Sequence, residues 1–212
     1  MTDLRIDPSH IPALNQLIEP GIKRAIDALS QMVNQPVNLA AVNLELVPVS
    51  DLLVWLDDPA TPMVGVYVLS ANGPTGNCHL ILLMTKKSAL ALSHLMLSFD
   101  PNLNPSDVDM PDMSDIEKSA LGEAGNVISS YFLAQLETGL GLEMYPSEPI
   151  LVYDMTGAIL DSVIADLNGY GEAALVLDTA IISPDRKVRA QFLLMFDDLA
   201  LEKITERIVA QG

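Results

Sequence analysis

The chain has 212 residues, half of them hydrophobic, enough for one sizeable core. Its 28 acidic and 11 basic residues give a formal net charge of −17, which argues against nucleic acid and anionic membrane surfaces as partners. A single cysteine, Cys78, excludes an intrachain disulfide and a thiolate metal cluster. A well-solvated acidic surface accounts for the charge, and a basic partner would be steered towards it.

The first residues, "MTDLRIDPSHIPALNQ", lack a secretory pattern, and no run approaches the length of a membrane span. With the lone cysteine, this predicts a soluble, cytoplasmic protein. Residues 8–34 follow the helical period through Ile11, Leu14, Ile18, Ile22, Ile26 and Leu29. Pro20 and Gly21 predict a kink or a fresh start within that helix. A strand is expected over 37–49, and Ser50 could cap a short helical turn over 50–56. "MVGVYVLS" and "CHLILLM" flank the turn-rich "ANGPTGN" as a hairpin over 63–84. Thr85 is a candidate cap for a helix over 87–98.

The segment 98–115 is rich in Pro, Asp and Asn and reads as a linker. A second long helix is expected over 112–138, with Asp112, Asp115 and Glu117 near its positive end and Gly139 and Gly141 at its close. A strand over 142–153 and a helix over 154–167 follow. A hairpin over 172–196 turns at "SPDR", and a last helix begins after Asp197. Each half thus runs long helix, strand, short helix, hairpin, helix. "LLM" recurs at 82–84 and 193–195, an offset of 111. The expected architecture is one duplicated α/β domain of the α+β type. Repeats over about 8–98 and 112–208, joined by a linker over 99–111, would form a pseudo-twofold, largely antiparallel six-stranded sheet with two long helices packed on it.

The stretch "KSALGEAGNVISSYF" (118–132) holds the chemistry. Ser119, Glu123 and Asn126 fall within roughly 60° of one another on a helix turning about 100° per residue. Gly122 and Gly125 are expected to keep that face low for a partner. Geometry alone also allows a solvated polar stripe. Other clusters carry less. "DVDMPDMSD" (107–115) has Asp112 and Lys118 where a calcium loop needs Gly and Glu. His10, His79 and His94 lack zinc-ligand spacing and read as structural or surface residues. Cys78 and His79 are strand neighbours, whose side chains point to opposite faces. "NGPTGN" lacks the lysine of a phosphate-binding loop.

Ser119, three residues, Glu123, two residues, Asn126, 22 residues, Pro149 resembles the signature of the CheC/CheX/FliY family of chemotaxis proteins. "EKSALGEAGNVISSYFLAQL", "DMTGAILDSVIADL" and "IDALSQMVNQPV" extend the resemblance over about residues 10–205. The resemblance implies a phosphatase acting on the aspartyl phosphate of a CheY-type receiver domain. It implies Asn126 as the residue holding the attacking water, Glu123 as partner of a receiver lysine, Ser119 as a supporting residue, and Pro149 as a structural one. It implies no cofactor beyond the Mg2+ that the receiver itself supplies. CheD is a further partner it brings into view, and a non-catalytic docking module of the flagellar-switch kind is the competing reading. Aligning "ALSQ" (28–31) with the family places Gln16 and Glu19 at the corresponding positions of the first long helix, with the proline position near Val42 also lost. A carboxylate would repel phosphate there, so the first site is expected to be catalytically dead.

Overall fold

In the computed structural model, residues 8–56, 58–97, 113–165, 173–182 and 187–211 are described. A 3-10 turn leads into α1 (Ile11–Val33), which buries Leu14, Ile18, Ile22, Ile26 and Leu29. The helix continues without a break across Pro20 and Gly21, against the expected restart. Pro20 removes the amide that would donate to the Gln16 carbonyl, and the next turn packs on the second long helix, α4 (Asp115–Leu140). Gln135 Nε2 donates to the Leu17 carbonyl at 2.8 Å. A Cβ on Gly21 would lie 2.6 Å from Gln135 Cβ, so only glycine allows that approach.

β1 (Asn38–Pro48) leads through a 3-10 turn into α2 (Leu52–Trp55). Ser50 does not cap it: its hydroxyl donates to Asp51 Oδ1. β2 (Pro62–Gly73) and β3 (Gly76–Thr85) form a longer hairpin than expected, turning at Pro74 and Thr75. Gly76 has φ +109°, a conformation suited to glycine. α3 (Lys86–Met96) is capped by Thr85, whose hydroxyl accepts from the Ser88 amide at 3.2 Å. The expected linker over 99–111 lies outside the described residues.

α4 opens on a reciprocal cap. Ser114 Oγ accepts from the Glu117 amide, while Glu117 Oε2 accepts from the Ser114 amide at 2.8 Å. Gly141 closes the helix at φ +69°, while Gly139 stays within it. β4 (Ile150–Met155) is shorter than the strand expected over 142–153. The preceding loop is tied to β2 instead, with the Ser147 amide donating to the Leu69 carbonyl at 2.8 Å. α5 (Thr156–Ala165), β5 (Ala173–Ile182), β6 (Lys187–Phe196) and α6 (Asp198–Gln211) complete the chain; the expected turn at 183–186 lies outside the described residues. Asp197 caps α6 through the Ala200 amide and also accepts from the Asn77 amide and side chain, which pins the first hairpin to the last helix.

The sheet order is β1-β5-β6-β3-β2-β4, with every neighbouring pair antiparallel. Exchanging β1 with β4, β2 with β5 and β3 with β6 reverses the order onto itself, as the expected pseudo-twofold α+β domain requires. One face packs on α1, α3, α4 and α6. The other packs on the short α2 and α5. The two "LLM" strings are not equivalent positions. Leu82 and Met84 face α1, α3, α4 and α6, whereas Leu193 and Met195 face α2 and α5. The capping residues Thr85 and Asp197 stand 112 apart, and that offset restores the faces and centres the twofold on the Ile81–Leu193 pair.

Glu117 also accepts at 2.9 Å from His94 Nε2 of α3. Burial alone would raise its carboxyl, but the Ser114 hydrogen bonds and His94 hold it below the ordinary glutamate value. Stability from a lowered carboxyl is present above its unfolded value and is lost as pH falls through the folded one. Glu117→Gln should therefore destabilise the fold at pH 7, by about 1–2 kcal/mol, and the gap from wild type should narrow at pH 3. Urea denaturation at the two pH values measures both.

Candidate functional site on the second long helix

Ser119 and Glu123 are exposed on α4 and Asn126 is half-buried on the same stripe. The opposite side of the helix buries Leu121, Ala124, Gly125 and Phe132 against the sheet. None of the three stripe residues has a hydrogen bond or ion pair among the described residues. Ser129, one turn further on, contrasts with them: its hydroxyl is used within the helix, donating to the Gly125 carbonyl at 2.7 Å. The stripe therefore offers an uncommitted hydroxyl, carboxylate and carboxamide to the outside.

The two glycines beside the stripe do different work. A Cβ on Gly122 would meet nothing within 4 Å, so its missing side chain leaves open room beside the stripe. A Cβ on Gly125 would collide with Val66 Cγ1 of β2. Gly125 is thus a packing residue, which corrects the expectation that both glycines keep the outer face low. It lets α4 close on the sheet, and this seating fixes how the stripe is presented.

Pro149 lies apart from the helix, half-buried at the entry to β4. On α1, Gln16 is exposed and Glu19 pairs with Lys23 at 2.7 Å. The first helix therefore presents an ion pair where the second presents a free carboxamide. Two of the histidines and the cysteine are engaged elsewhere. His79 Nδ1 lies 2.7 Å from Tyr67 Oη, and His94 pairs with Glu117. Cys78 is buried in the helix-side core, where burial and the charge of Asp197 push its thiol well above the usual range. The acidic run at 107–112 lies outside the described residues.

The sequence reading missed the His94–Glu117 contact. Ser114 and Glu117 at capping-box spacing were a visible signal for half of it. The histidine comes from another helix and has no local signature.

The stripe has limited chemistry of its own. It carries an acceptor and donor for water and one negative charge on an open helix face. It has the parts to complete a site that a partner brings, and lacks the enclosure to surround a small substrate. Gly122→Ala should stabilise the fold by up to about 1 kcal/mol, since alanine favours a helix and the space is free. Gly125→Ala should destabilise it by about 1–3 kcal/mol through overpacking against Val66. Chemical denaturation of the two variants separates the roles.

No family model matches the chain. Over 201 residues it is 23% identical to the CheY-P phosphatase CheC of Bacillus subtilis, covering 94% of this chain and 93% of that one. It is 26% identical over 194 residues to a Halobacterium salinarum protein named CheC1, covering 92% and 93%. Among solved structures, FliY of Thermotoga maritima superposes with a TM-score of 0.68 at 16% identity, covering 98% of this chain and 99% of that one. The FliM middle domain of Helicobacter pylori follows at 0.62 and 12%, covering 95% and 99%. These structural likenesses establish the fold. The near full-length sequence matches make the chain similar to these CheC proteins, and its fold similar to that of FliY.

Proposed function

We propose that this protein is a phosphatase for the aspartyl phosphate of a CheY-type receiver domain. The observation that carries the reading is the pairing of Glu123 and Asn126, exposed or half-exposed and without partners among the described residues, one turn apart on α4. The name of the Bacillus subtilis relative, a CheY-P phosphatase, supports it.

The reaction asks little of the protein beyond placement. Water attacks phosphorus, the bond from phosphorus to the receiver's carboxylate oxygen breaks, and inorganic phosphate and a free aspartate result. Phosphoryl transfer depends chiefly on alignment and charge compensation. In this reading Asn126 Oδ1 accepts a hydrogen bond from the attacking water, and its uncharged amide approaches the phosphate without repulsion. Ordering one water in line can supply several kcal/mol. Glu123, one turn earlier, binds the ammonium of a receiver lysine and so sets the docking. Ser119 supports the same contact face, and Pro149 sets the strand behind it. The receiver's own Mg2+ balances phosphate charge, so the proposal requires no metal ligand from this chain. At Glu19 of α1 a carboxylate replaces the carboxamide, so that helix contributes no catalysis.

Phosphate release from a phosphorylated receiver tests this. Wild type should outpace the receiver's own decay. Asn126→Ala should lower kcat by about 100-fold or more, and Glu123→Ala should mainly raise KM. A receiver that binds but keeps its unassisted lifetime would overturn the catalytic reading in favour of a docking module.

A further inference from the structure

Exposed apolar side chains gather around the intact motif. On α4, Ile116 is 60% exposed one turn before Ser119, and Tyr131 is 40% exposed beyond Asn126. On β4, Tyr153 is 42% and Met155 50% exposed. Tyr153 stands opposite Val64, and Leu151 opposite Val66, the residue that receives Gly125. Cross-strand partners project to the same side of a sheet, so Tyr153 lies on the α4 side, and Met155 two residues on shares it. β4 is the edge strand, and α4 packs on β2 and β4 while α1 packs on β1. Tyr153 and Met155 therefore flank α4 on the side away from α1. Gly122 points to that flank by helical phase and leaves the way between Asn126 and β4 open.

The twofold supplies an internal control. At the motif offset, Ser9 stands for Ile116, Asn15 for Gly122 and Arg24 for Tyr131. Sheet register relates Leu151 to Leu46, both packed on the same core, and hence Tyr153 to Pro48, which is half-buried. The apolar residues and the gap beside them occur with the intact motif and are replaced where the motif is degenerate. A patch needed only for folding would have no reason to follow the motif.

Charge follows the same division. Residues 119–185 contain ten acidic residues and no Lys, Arg or His. Glu123, Glu148, Asp154 and Asp161 are exposed within that stretch. We infer that Ile116, Tyr153 and Met155 form the apolar part of the footprint on which the phosphorylated substrate protein docks, and that this substrate presents an apolar contact rimmed by Lys or Arg. The inference rests on the proposed phosphatase reading. A second copy of this chain is the poorer occupant, because two predominantly acidic rims, with Lys118 their one basic residue over 116–185, would face each other. Exposed tyrosines at the centre of a contact commonly carry a large share of its affinity.

The test is steady-state dephosphorylation of a CheY-type receiver charged with acetyl phosphate. Tyr153→Ser and Ile116→Ser should each raise KM about tenfold and leave kcat within about twofold. Both should melt like wild type, because the side chains are exposed. Added NaCl should raise the wild-type KM. If wild type catalyses and both variants keep its KM, the footprint is overturned while the phosphatase reading stands. If wild type does not catalyse, the phosphatase reading fails, and binding to the beryllofluoride-activated receiver decides the footprint. Weaker binding by Tyr153→Ser then supports it, and equal binding, or no binding by wild type, overturns it. A dimer in sedimentation that Tyr153→Ser dissolves without changing KM would also overturn it in favour of self-association.

Discussion

The antiparallel pairing of β3 with β6 joins two three-stranded units into one sheet. Leu80 to Leu83 and Leu193 to Met195 are at most 3% exposed, so the seam is covered on both faces. Each such side chain contributes roughly 1.5–3 kcal/mol through burial. Because the twofold passes through Ile81 and Leu193, the seam also fixes where the long helices lie. α1 and α4 meet above it through Gly21 and Gln135, and the two motif positions point outward at separate places on that helical layer.

The pairing makes the halves alike in frame while leaving their surfaces independent. Glu19 and Asn126 occupy related positions on the two long helices, but one is held in an ion pair with Lys23 and the other is uncommitted. Nothing in the core demands that difference, since both residues lie away from the packed faces. α4 is additionally anchored at its start, where Glu117 joins its own cap to His94 of α3. This anchor lies about one helical turn before Leu121 and two residues before Ser119, so the motif rides on a helix end that is held from two elements. The signature could change on one side and persist on the other without disturbing the fold.

Much of this was legible in the sequence. The helical period, the alternating hairpins and the cap at Thr85 are local signals, and the elements they predict are present. The motif was legible for the same reason, because helical spacing turns sequence distance into a shared face. Other features depend on partners distant in the chain. The "LLM" strings suggested an offset of 111, but a strand reverses its faces with a one-residue slip, and the true offset became visible only from which residues are buried together. Gly122 and Gly125 look alike in the string "LGEAGN". Their separation into an open position and a packing contact depends on Val66, some sixty residues earlier. Pro20 suggested a break because propensity is local, whereas α1 runs through it while packed at Leu17 and Gly21 on Gln135 of the other half.

An open helix face places a particular constraint on the proposed chemistry. A carboxamide that holds water on an exposed surface gains little from that water while bulk solvent competes for the same hydrogen bonds. Its value rises when the surroundings become dry and the water has one place to sit. Asn126 is only half-buried in the free protein, so enclosure has to come from the docked partner. Glu123 is consistent with this, since a carboxylate beside a phosphate is tolerable only when a cation lies between them. Catalysis and docking are then one event: the site is complete only in the complex, and selectivity lies in the surface around the motif. On the proposed reading, a chain that leaves Glu123 and Asn126 unengaged, keeps Gly122 bare and surrounds them with apolar and acidic surface places its specificity outside the two residues that would act on the phosphate.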